Sequence, residues 1–134
     1  MPFTRITVRE GWSESELQTL SYTLHEVLVA EFSVPPRDRF QVIDVLPAQR
    51  LIYDTHYLSG GRSERYVLLH IVAGKARTTE QKRLTYQRLS ERLQRQLNLN
   101  PDDLMIIIQQ THAENWSFSG GKMFELEMIP SDLK

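Results

Sequence analysis

Hydrophobic and polar positions along the chain fall into two periodicities that predict strands and helices. Short runs rich in Val and Ile, several of them alternating with polar residues, predict β-strands over residues 3–8, 40–46, 66–73 and 104–110. Apolar residues at helical spacing predict one helix in each half, marked by Leu17, Leu20, Leu24, Val27, Leu28 and Phe32 and then by Leu84, Leu89, Leu93 and Leu97. The elements therefore occur in the order β-α-β, twice.

Both predicted helices begin with the same capping signal. Ser13 is followed three residues later by Glu16, and Thr78 is followed in the same way by Gln81. In such a capping box the hydroxyl accepts a hydrogen bond from the first turn, and the acidic or amide side chain reaches back to the cap. Each helix is expected to end before a proline, which cannot continue it.

The chain resembles itself after an offset of about 65 residues, which indicates a duplication. Pro36 matches Pro101 and Asp38 matches Asp103. We predict one domain over residues 1–134, with repeats 2–46 and 66–111, a linker 47–65 and a C-terminal segment 112–134. Because a helical crossover joins parallel strands, the predicted fold is α/β (α+β): a four-stranded mixed sheet with both helices on one face.

A sheet covered on one face leaves a second face to explain. The strands carry more apolar residues than one face can use, namely Ile6, Val8, Val42, Val45, Leu69, Ile71, Ile106 and Ile108. We expect these bare faces to pack together in a homo-oligomer. The alternative is that the linker and the tail from Asn115 onward cover the face.

Composition narrows the class of protein further. The 134 residues carry 16 Lys and Arg against 17 Asp and Glu, too balanced for a nucleic-acid binder. There is no cysteine, so no disulfide, thiolate nucleophile or cysteine-based zinc site is available. The histidines are scattered and predict no metal site: His25, His56, His70 and His112. No apolar run could span a bilayer and no signal segment is evident, so a cytoplasmic protein without cofactor is expected.

The opening dipeptide suggests a reactive group. Methionine is commonly removed before a small residue, and loss of Met1 would leave Pro2 with a free secondary amine. Free α-amino groups have pKa values of about 7.7–8.0, and burial or nearby cations lower them. Pro2 could therefore act as a general base when neutral, or as a cationic acid that polarises a carbonyl group.

A pair of cations lies at the corresponding place in the second repeat. Lys75 and Arg77 stand between the third strand and the helix that opens at Thr78. Unpaired N–H groups at a helix N-terminus favour anions, so these residues could bind a carboxylate. The alternative is that both are solvated loop charges.

Several segments together resemble a known family over nearly the whole chain. They are the opening Met-Pro, the tandem β-α-β units, the segment 34–40 (Val-Pro-Pro-Arg-Asp-Arg-Phe), the Lys-Ala-Arg turn at 75–77 and the Asn-Trp-Ser-Phe segment at 115–118. In these features the chain resembles the tautomerase superfamily, and within it the malonate semialdehyde decarboxylase group.

The resemblance implies roles for individual residues. It makes Pro2 the catalytic amine, Asp38 its partner and Arg77 the ligand of the substrate carboxylate. Lys75 stands where the family has a second arginine. The ammonium group of a lysine is a point charge, whereas the planar guanidinium of an arginine can bind a carboxylate through two hydrogen bonds. Trp116, Phe118 and Phe124 match an apolar wall near the active site. The resemblance also implies a homotrimer.

Local explanations exist for some of the same residues. Asp38 and its repeat mate Asp103 each follow a proline, so both could simply form turns through their side chains. Trp116 and Phe118 could cap the core.

The favoured function is decarboxylation of malonate semialdehyde to acetaldehyde and carbon dioxide, with protonated Pro2 stabilising the enolate that forms. Alternatives are keto–enol tautomerisation of a 2-keto acid such as phenylpyruvate, or hydration of an unsaturated acid. Two others are a ferredoxin-like binding module, because β-α-β-β-α-β order also occurs there, and a family member without catalytic activity.

Overall fold

All six predicted elements are present in the computed structural model, which describes residues 1–130. They are β1 (Pro2–Arg9), α1 (Glu14–Phe32), β2 (Phe40–Leu46), β3 (Val67–Ala73), α2 (Thr79–Leu97) and β4 (Leu104–Gln110). Short 3-10 turns occur at Ala48–Arg50, Pro101–Asp103, Ala113–Asn115 and Leu126–Met128. The last four residues of the predicted C-terminal segment 112–134 lie outside the described residues.

The strands form one mixed sheet in the order β2-β1-β3-β4. β1 pairs with β2 in parallel, β3 pairs with β4 in parallel, and the two central strands β1 and β3 run antiparallel. The predicted mixed sheet is therefore confirmed. The ferredoxin-like alternative is wrong, because that topology splits each β-α-β unit with an intervening strand, whereas β1 and β2 are direct neighbours here.

The helix ends repeat from one half to the other. Ser13 Oγ accepts from Glu16 N at 3.1 Å, and Thr78 Oγ1 accepts from Gln81 N at 3.0 Å, with both reciprocal bonds present. Each helix ends on a left-handed residue, Ser33 at φ 54° and Asn98 at φ 53°. The two crossover helices are therefore capped in the same way at both ends.

The hydrophobic core lies between the helices and one face of the sheet. The central strands contribute side chains with no solvent exposure, among them Ile6 and Leu69. From the helices, Leu24 and Leu89 are equally buried. Two halves thus share one core, which neither half could enclose alone.

The second face of the sheet is open, as the sequence predicts, and the strand register divides the apolar strand residues between the two faces. By the strand register, Ile6, Leu69, Ile71 and Ile106 all lie on the helix side, because residues paired across strands share a face. The open face carries Val42 of the predicted set, together with Phe3, Phe40, Leu68, Val72, Met105 and Ile107. The earlier set mixed the two faces because most of its strands are apolar on both sides.

The linker and the tail cover only the ends of this open face. At one end, Arg9 donates to Leu51 O of the linker. At the other, Phe118 packs against Phe40 with ring centroids 5.7 Å apart. On the central strand β1 the Arg5 side chain is 53% exposed, and on the edge strand β4 Ile107 remains 42% exposed. Among residues 1–130, no helix has the length and apolar character needed to cross a membrane.

The two capping boxes should contribute equally to stability. Ser13→Ala and Thr78→Ala each remove the acceptor for one helix N-terminal N–H, so each is expected to lower the free energy of unfolding by about 1 kcal/mol in urea titrations. Ser15→Ala, an exposed position in the first turn of α1, is the matched control and should change stability little. Equal effects in all three variants would contradict the capping role.

Candidate active site

The first residue of the chain lies inside the protein. The α-amino nitrogen of Met1 is 2.7 Å from Asp38 Oδ2, and the Met1 side chain is 5% exposed. β1 begins immediately after it, with Pro2 buried and paired with Ala73 of β3. Gly74 N donates to Met1 O at 2.9 Å. Strand pairing therefore fixes the N-terminus beside the turn that follows β3.

Asp38 reaches the amine from a tight turn between α1 and β2. Asp38 N donates to Pro35 O at 2.9 Å, and His25 Nε2 of α1 donates to Pro36 O at 2.7 Å. The Asp38 side chain is 11% exposed. Its second oxygen, Oδ1, is buried and has no hydrogen-bond partner among residues 1–130. One oxygen thus binds the amine, and the other is buried without a partner among these residues.

The equivalent aspartate of the second repeat is used differently. Asp103 Oδ2 accepts from Ser63 Oγ at 2.7 Å, and Oδ1 accepts from Ser63 N. Asp103 is buried and binds the linker through Ser63. The carboxylate of Asp38 binds the amine and that of Asp103 binds Ser63, so the alternative that both side chains form their own turns is wrong.

The surroundings of the α-amino group change its protonation. Burial lowers the pKa of the Met1 amine from its ordinary value of 8.0, and Arg77 and Lys75 lower it further because they are cations. Asp38 opposes these effects through its hydrogen bond and negative charge. This position therefore favours a neutral amine more than water does.

Arg77 lies between the amine and the end of α1. Its Nε and Nη2 donate to Phe32 O at 3.2 and 2.9 Å, and its Nη1 donates to Lys75 O at 2.6 Å. Burial lowers the pKa of the Arg77 guanidinium, and the Asp38 carboxylate opposes that shift. Lys75 is exposed.

A pocket of about 270 Å³ opens beside the amine and Asp38. Three aromatic rings from distant parts of the chain line it: Phe40 of β2, and Phe118 and Phe124 of the C-terminal segment. Phe118 and Phe124 meet edge to face at 5.2 Å. Arg37 and Asp38 supply charged groups to an otherwise apolar lining.

Trp116 supports this wall from behind. It stacks on Phe118 with ring centroids 5.8 Å apart, and its Nε1 donates to Thr111 Oγ1 at 2.7 Å. A Cβ on Gly74 would come within 2.7 Å of Trp116 Nε1 and 2.9 Å of Met1 Cε. Only glycine lets the indole approach the N-terminus so closely.

The structure brings most of the sequence-predicted residues together. Asp38, Phe118 and Phe124 line the pocket, and Trp116 packs behind them. Arg77 and Lys75 act on the amine through their charges but are not part of the pocket lining. Pro2 lies next to the site with its nitrogen in a peptide bond to Met1.

Sequence reasoning missed Arg37 and Phe40 as site residues. Both belong to the same short segment as Asp38, and this proximity in sequence could have indicated that they line the same site. It also missed that Met1 itself fills part of the site. Residues 1–130 contain no group of three or more His, Cys, Asp or Glu side chains that could hold a metal ion.

Comparison with known proteins gives the family. A sequence model of the family described as "Tautomerase enzyme" matches residues 38–119, more than half of the chain. The chain is 35% identical to "Probable tautomerase YusQ" of Bacillus subtilis strain 168, over 95% of this chain and 100% of that protein. It is 32% identical to "Probable tautomerase YrdN" of the same strain, over 91% of this chain and 94% of that protein.

The fold agrees with this assignment. A crystal structure of malonate semialdehyde decarboxylase superposes with a TM-score of 0.83 at 26% identity, covering 90% of this chain and 93% of that one. The chain belongs to the tautomerase superfamily and is an enzyme of that superfamily, with malonate semialdehyde decarboxylase among its similar structures.

The electrostatics of the terminal amine can be tested directly. Asp38→Asn should lower its pKa further, because Asp38 raises that pKa while burial and the two cations still lower it. Lys75→Gln should raise the pKa by removing one cation. A pH titration of the ¹⁵N-labelled terminal amine by NMR measures both shifts, after mass spectrometry has identified the first residue.

Lys82→Gln on α2 removes the same charge as Lys75→Gln and serves as the control, for which we expect little change. Shifts opposite in sign to those expected would contradict the assignment of causes.

Proposed function

We propose that this enzyme uses the amine of Pro2, released by loss of Met1, as the general base in keto–enol tautomerisation of a small carbonyl acid. The observation that carries the proposal is the position of the α-amino group. In the chain that carries Met1, this group is the Met1 amine, which is buried against Asp38; burial lowers its pKa, and the cations Arg77 and Lys75 lower it further. Pro2 is the next residue. A base that works near neutral pH needs such a lowered pKa.

Loss of Met1 would open the site in three ways. Asp38 Oδ2 would lose its present partner and could bind the next nitrogen along the chain, that of Pro2. Gly74 N would lose its acceptor, Met1 O, and become a donor facing the site. The volume of the Met1 side chain would join the pocket that it now lines.

The proposed reaction moves one proton. Neutral Pro2 takes a proton from the carbon next to the substrate carbonyl. The electron pair of that C–H bond forms a C=C bond, and the π pair of the carbonyl group moves onto its oxygen. Gly74 N–H and the charges of Lys75 and Arg77 would stabilise the resulting enolate oxygen. Transfer of this proton from the cationic Pro2 amine to the oxygen gives the enol and restores the neutral base, and the reverse path returns the proton to carbon. Asp38 orients the amine and favours its protonated form during the transfer.

Decarboxylation of malonate semialdehyde is the second candidate. It is supported by the likeness to malonate semialdehyde decarboxylase at 26% identity. That reaction would use Pro2 in its cationic form, which stabilises the enolate left after loss of carbon dioxide. Burial and the nearby cations lower the pKa of the Met1 amine, and a Pro2 amine in the same surroundings would favour the neutral base, so we rank tautomerisation first.

Removing the secondary amine tests the proposed function. Pro2→Ala should reduce kcat for tautomerisation of phenylpyruvate by about 10²-fold or more, because general base catalysis contributes about 10²–10⁴-fold. Enol absorbance would follow the reaction, and acetaldehyde release from malonate semialdehyde would be measured in parallel. Intact mass must show loss of one methionine from the active protein.

Pro47→Ala, at an exposed linker position, is the matched control and should retain activity. Full activity in Pro2→Ala, or in protein that retains Met1, would refute the proposal. Acetaldehyde formation that clearly exceeds tautomerisation would establish the second candidate instead.

We also propose that the enzyme assembles as a homotrimer through its open sheet face. The exposed apolar residues Val42, Met105 and Ile107 on that face support self-association, and the family resemblance implies the number three. The Arg5 to Asp44 ion pair at 3.4 Å gives this face a polar element as well.

Native mass spectrometry should give three times the chain mass. Ile107→Glu should shift the assembly to monomers, because a carboxylate would be buried without a partner in the contact. Tyr86→Glu, a similarly exposed apolar position on α2, should leave the trimer intact. A monomeric wild-type protein would overturn the proposal.

A further inference from the structure

The turn that carries Asp38 is held by polar side chains of α1 that do not line the pocket. We infer that His25, supported by Ser21, is a positioning residue that fixes Asp38 against the terminal amine. His25 lines a separate groove, together with Pro36 and other residues. The inference rests on the proposed function only where turnover is concerned, since the contact between Asp38 and the amine is present whatever the reaction.

His25 reaches this turn through one hydrogen bond. Its Nε2 donates to Pro36 O at 2.7 Å, two residues before Asp38. A carbonyl oxygen can only accept, so Nε2 carries a proton in this contact. Pro35 and Pro36 have no N–H group, so this part of the turn can be bonded only through its carbonyl oxygens. His25 is buried and therefore ties the backbone just before Asp38 to α1.

Ser21 lies one helical turn before His25 and holds the chain after Asp38. Its hydroxyl accepts from Arg39 Nη2 at 2.8 Å and also bonds Gln41 Oε1. Gln41 Nε2 donates back to Ser21 O at 3.2 Å. Residues four apart share one face of a helix, so this buried polar pair, Ser21 and His25, holds the chain on both sides of Asp38.

The second repeat builds the same β-α-β unit with different side chains. At the offset of 65 residues, the positions equivalent to the polar pair are Tyr86 and Ser90, which line a groove beside β4. The turn that carries Asp103 is bonded instead to Ser63 of the linker. The fold of a β-α-β unit therefore does not require the polar pair. It occurs in the repeat whose aspartate contacts the amine.

The position of Asp38 matters for the protonation of the amine. Burial lowers the pKa of the Met1 amine, and Asp38 raises it through a hydrogen bond and through its negative charge. Both contributions of Asp38 weaken as its distance from the amine grows. If the turn were free to move, the effects of burial and of the nearby cations would dominate. The polar pair thus acts on the amine through the carboxylate.

A titration of the terminal amine tests the inference without depending on turnover. His25→Ala removes the donor to Pro36 O and should lower the amine pKa, in the same direction as Asp38→Asn. His25→Gln should keep the wild-type pKa, because the glutamine amide can donate in place of Nε2. His56→Ala, at an exposed linker position, removes the same ring and is the matched control. The measurement is ¹⁵N NMR after mass spectrometry has identified the first residue.

The glutamine variant separates the hydrogen bond from any charge on the ring. Glutamine does not titrate, so an effect of imidazole charge would appear equally in both His25 variants. The effect of His25→Ala should largely disappear when Asp38→Asn is already present, because it acts through that carboxylate. An unchanged amine pKa in folded His25→Ala, or equal shifts in both His25 variants, would overturn the inference. So would an undiminished effect in the Asp38→Asn background.

Ser21→Ala removes less volume than His25→Ala and gives an independent form of the test. It should lower the amine pKa in the same direction, because Arg39 and Gln41 lose their shared partner. Thermal unfolding of each variant would establish that it is folded. If His25→Ala does not fold, an unchanged pKa in folded Ser21→Ala would overturn the inference.

Turnover gives a second measurement and separates the two proposals. Under the proposed function, His25→Ala should lower kcat for phenylpyruvate by about tenfold and change KM little, because His25 lies outside the pocket. If Pro2→Ala remains fully active while His25→Ala lowers the amine pKa, the proposed base is wrong and the positioning role stands. If Pro2→Ala is inactive while folded His25→Ala keeps the wild-type pKa and kcat, the inference about His25 is wrong and the base stands.

Discussion

Antiparallel pairing of β1 with β3 is the constraint on which the rest of the structure depends. It joins two β-α-β units whose cores are too small to stand alone, through strands whose inward side chains are fully buried. The same pairing sets Pro2 opposite Ala73, so the chain terminus meets the Gly74 to Arg77 turn of the other repeat. Parallel pairing with β2 then brings in the Asp38 turn. A site built from three distant segments follows from the register of two strand pairs.

Much of the fold could be predicted because its signals are local. The capping boxes at Ser13 and Thr78 and the two periodicities depend on near neighbours in sequence, and both helices begin where those signals place them. The division of apolar residues between the two sheet faces could not be predicted as well, because β3 and β4 carry apolar side chains on both faces. Which face a residue lies on depends on register, which is a property of the assembled sheet.

The site was predictable in its residue types more than in its contacts. The family resemblance pointed to Asp38, Phe118 and Phe124, which line one pocket. It could not reveal that Arg77 donates to Phe32 O, because that contact joins residues from the two repeats. The contacts of the two duplicated aspartates could not be predicted either. Asp38 and Asp103 are equivalent in sequence, yet one faces the terminal amine and the other binds Ser63, and only the linker's path distinguishes them.

The burial of Met1 also bears on the order of events in the life of the protein. Its side chain is almost inaccessible and its amine contacts Asp38, so an aminopeptidase could not reach it once β1 has paired. Under the proposed function, processing must therefore come before folding, while the nascent terminus is still extended. A chain that folds first would keep its own first residue in the site and would be inactive. The active fraction of a preparation would then depend on the rate of methionine removal relative to the rate of strand pairing.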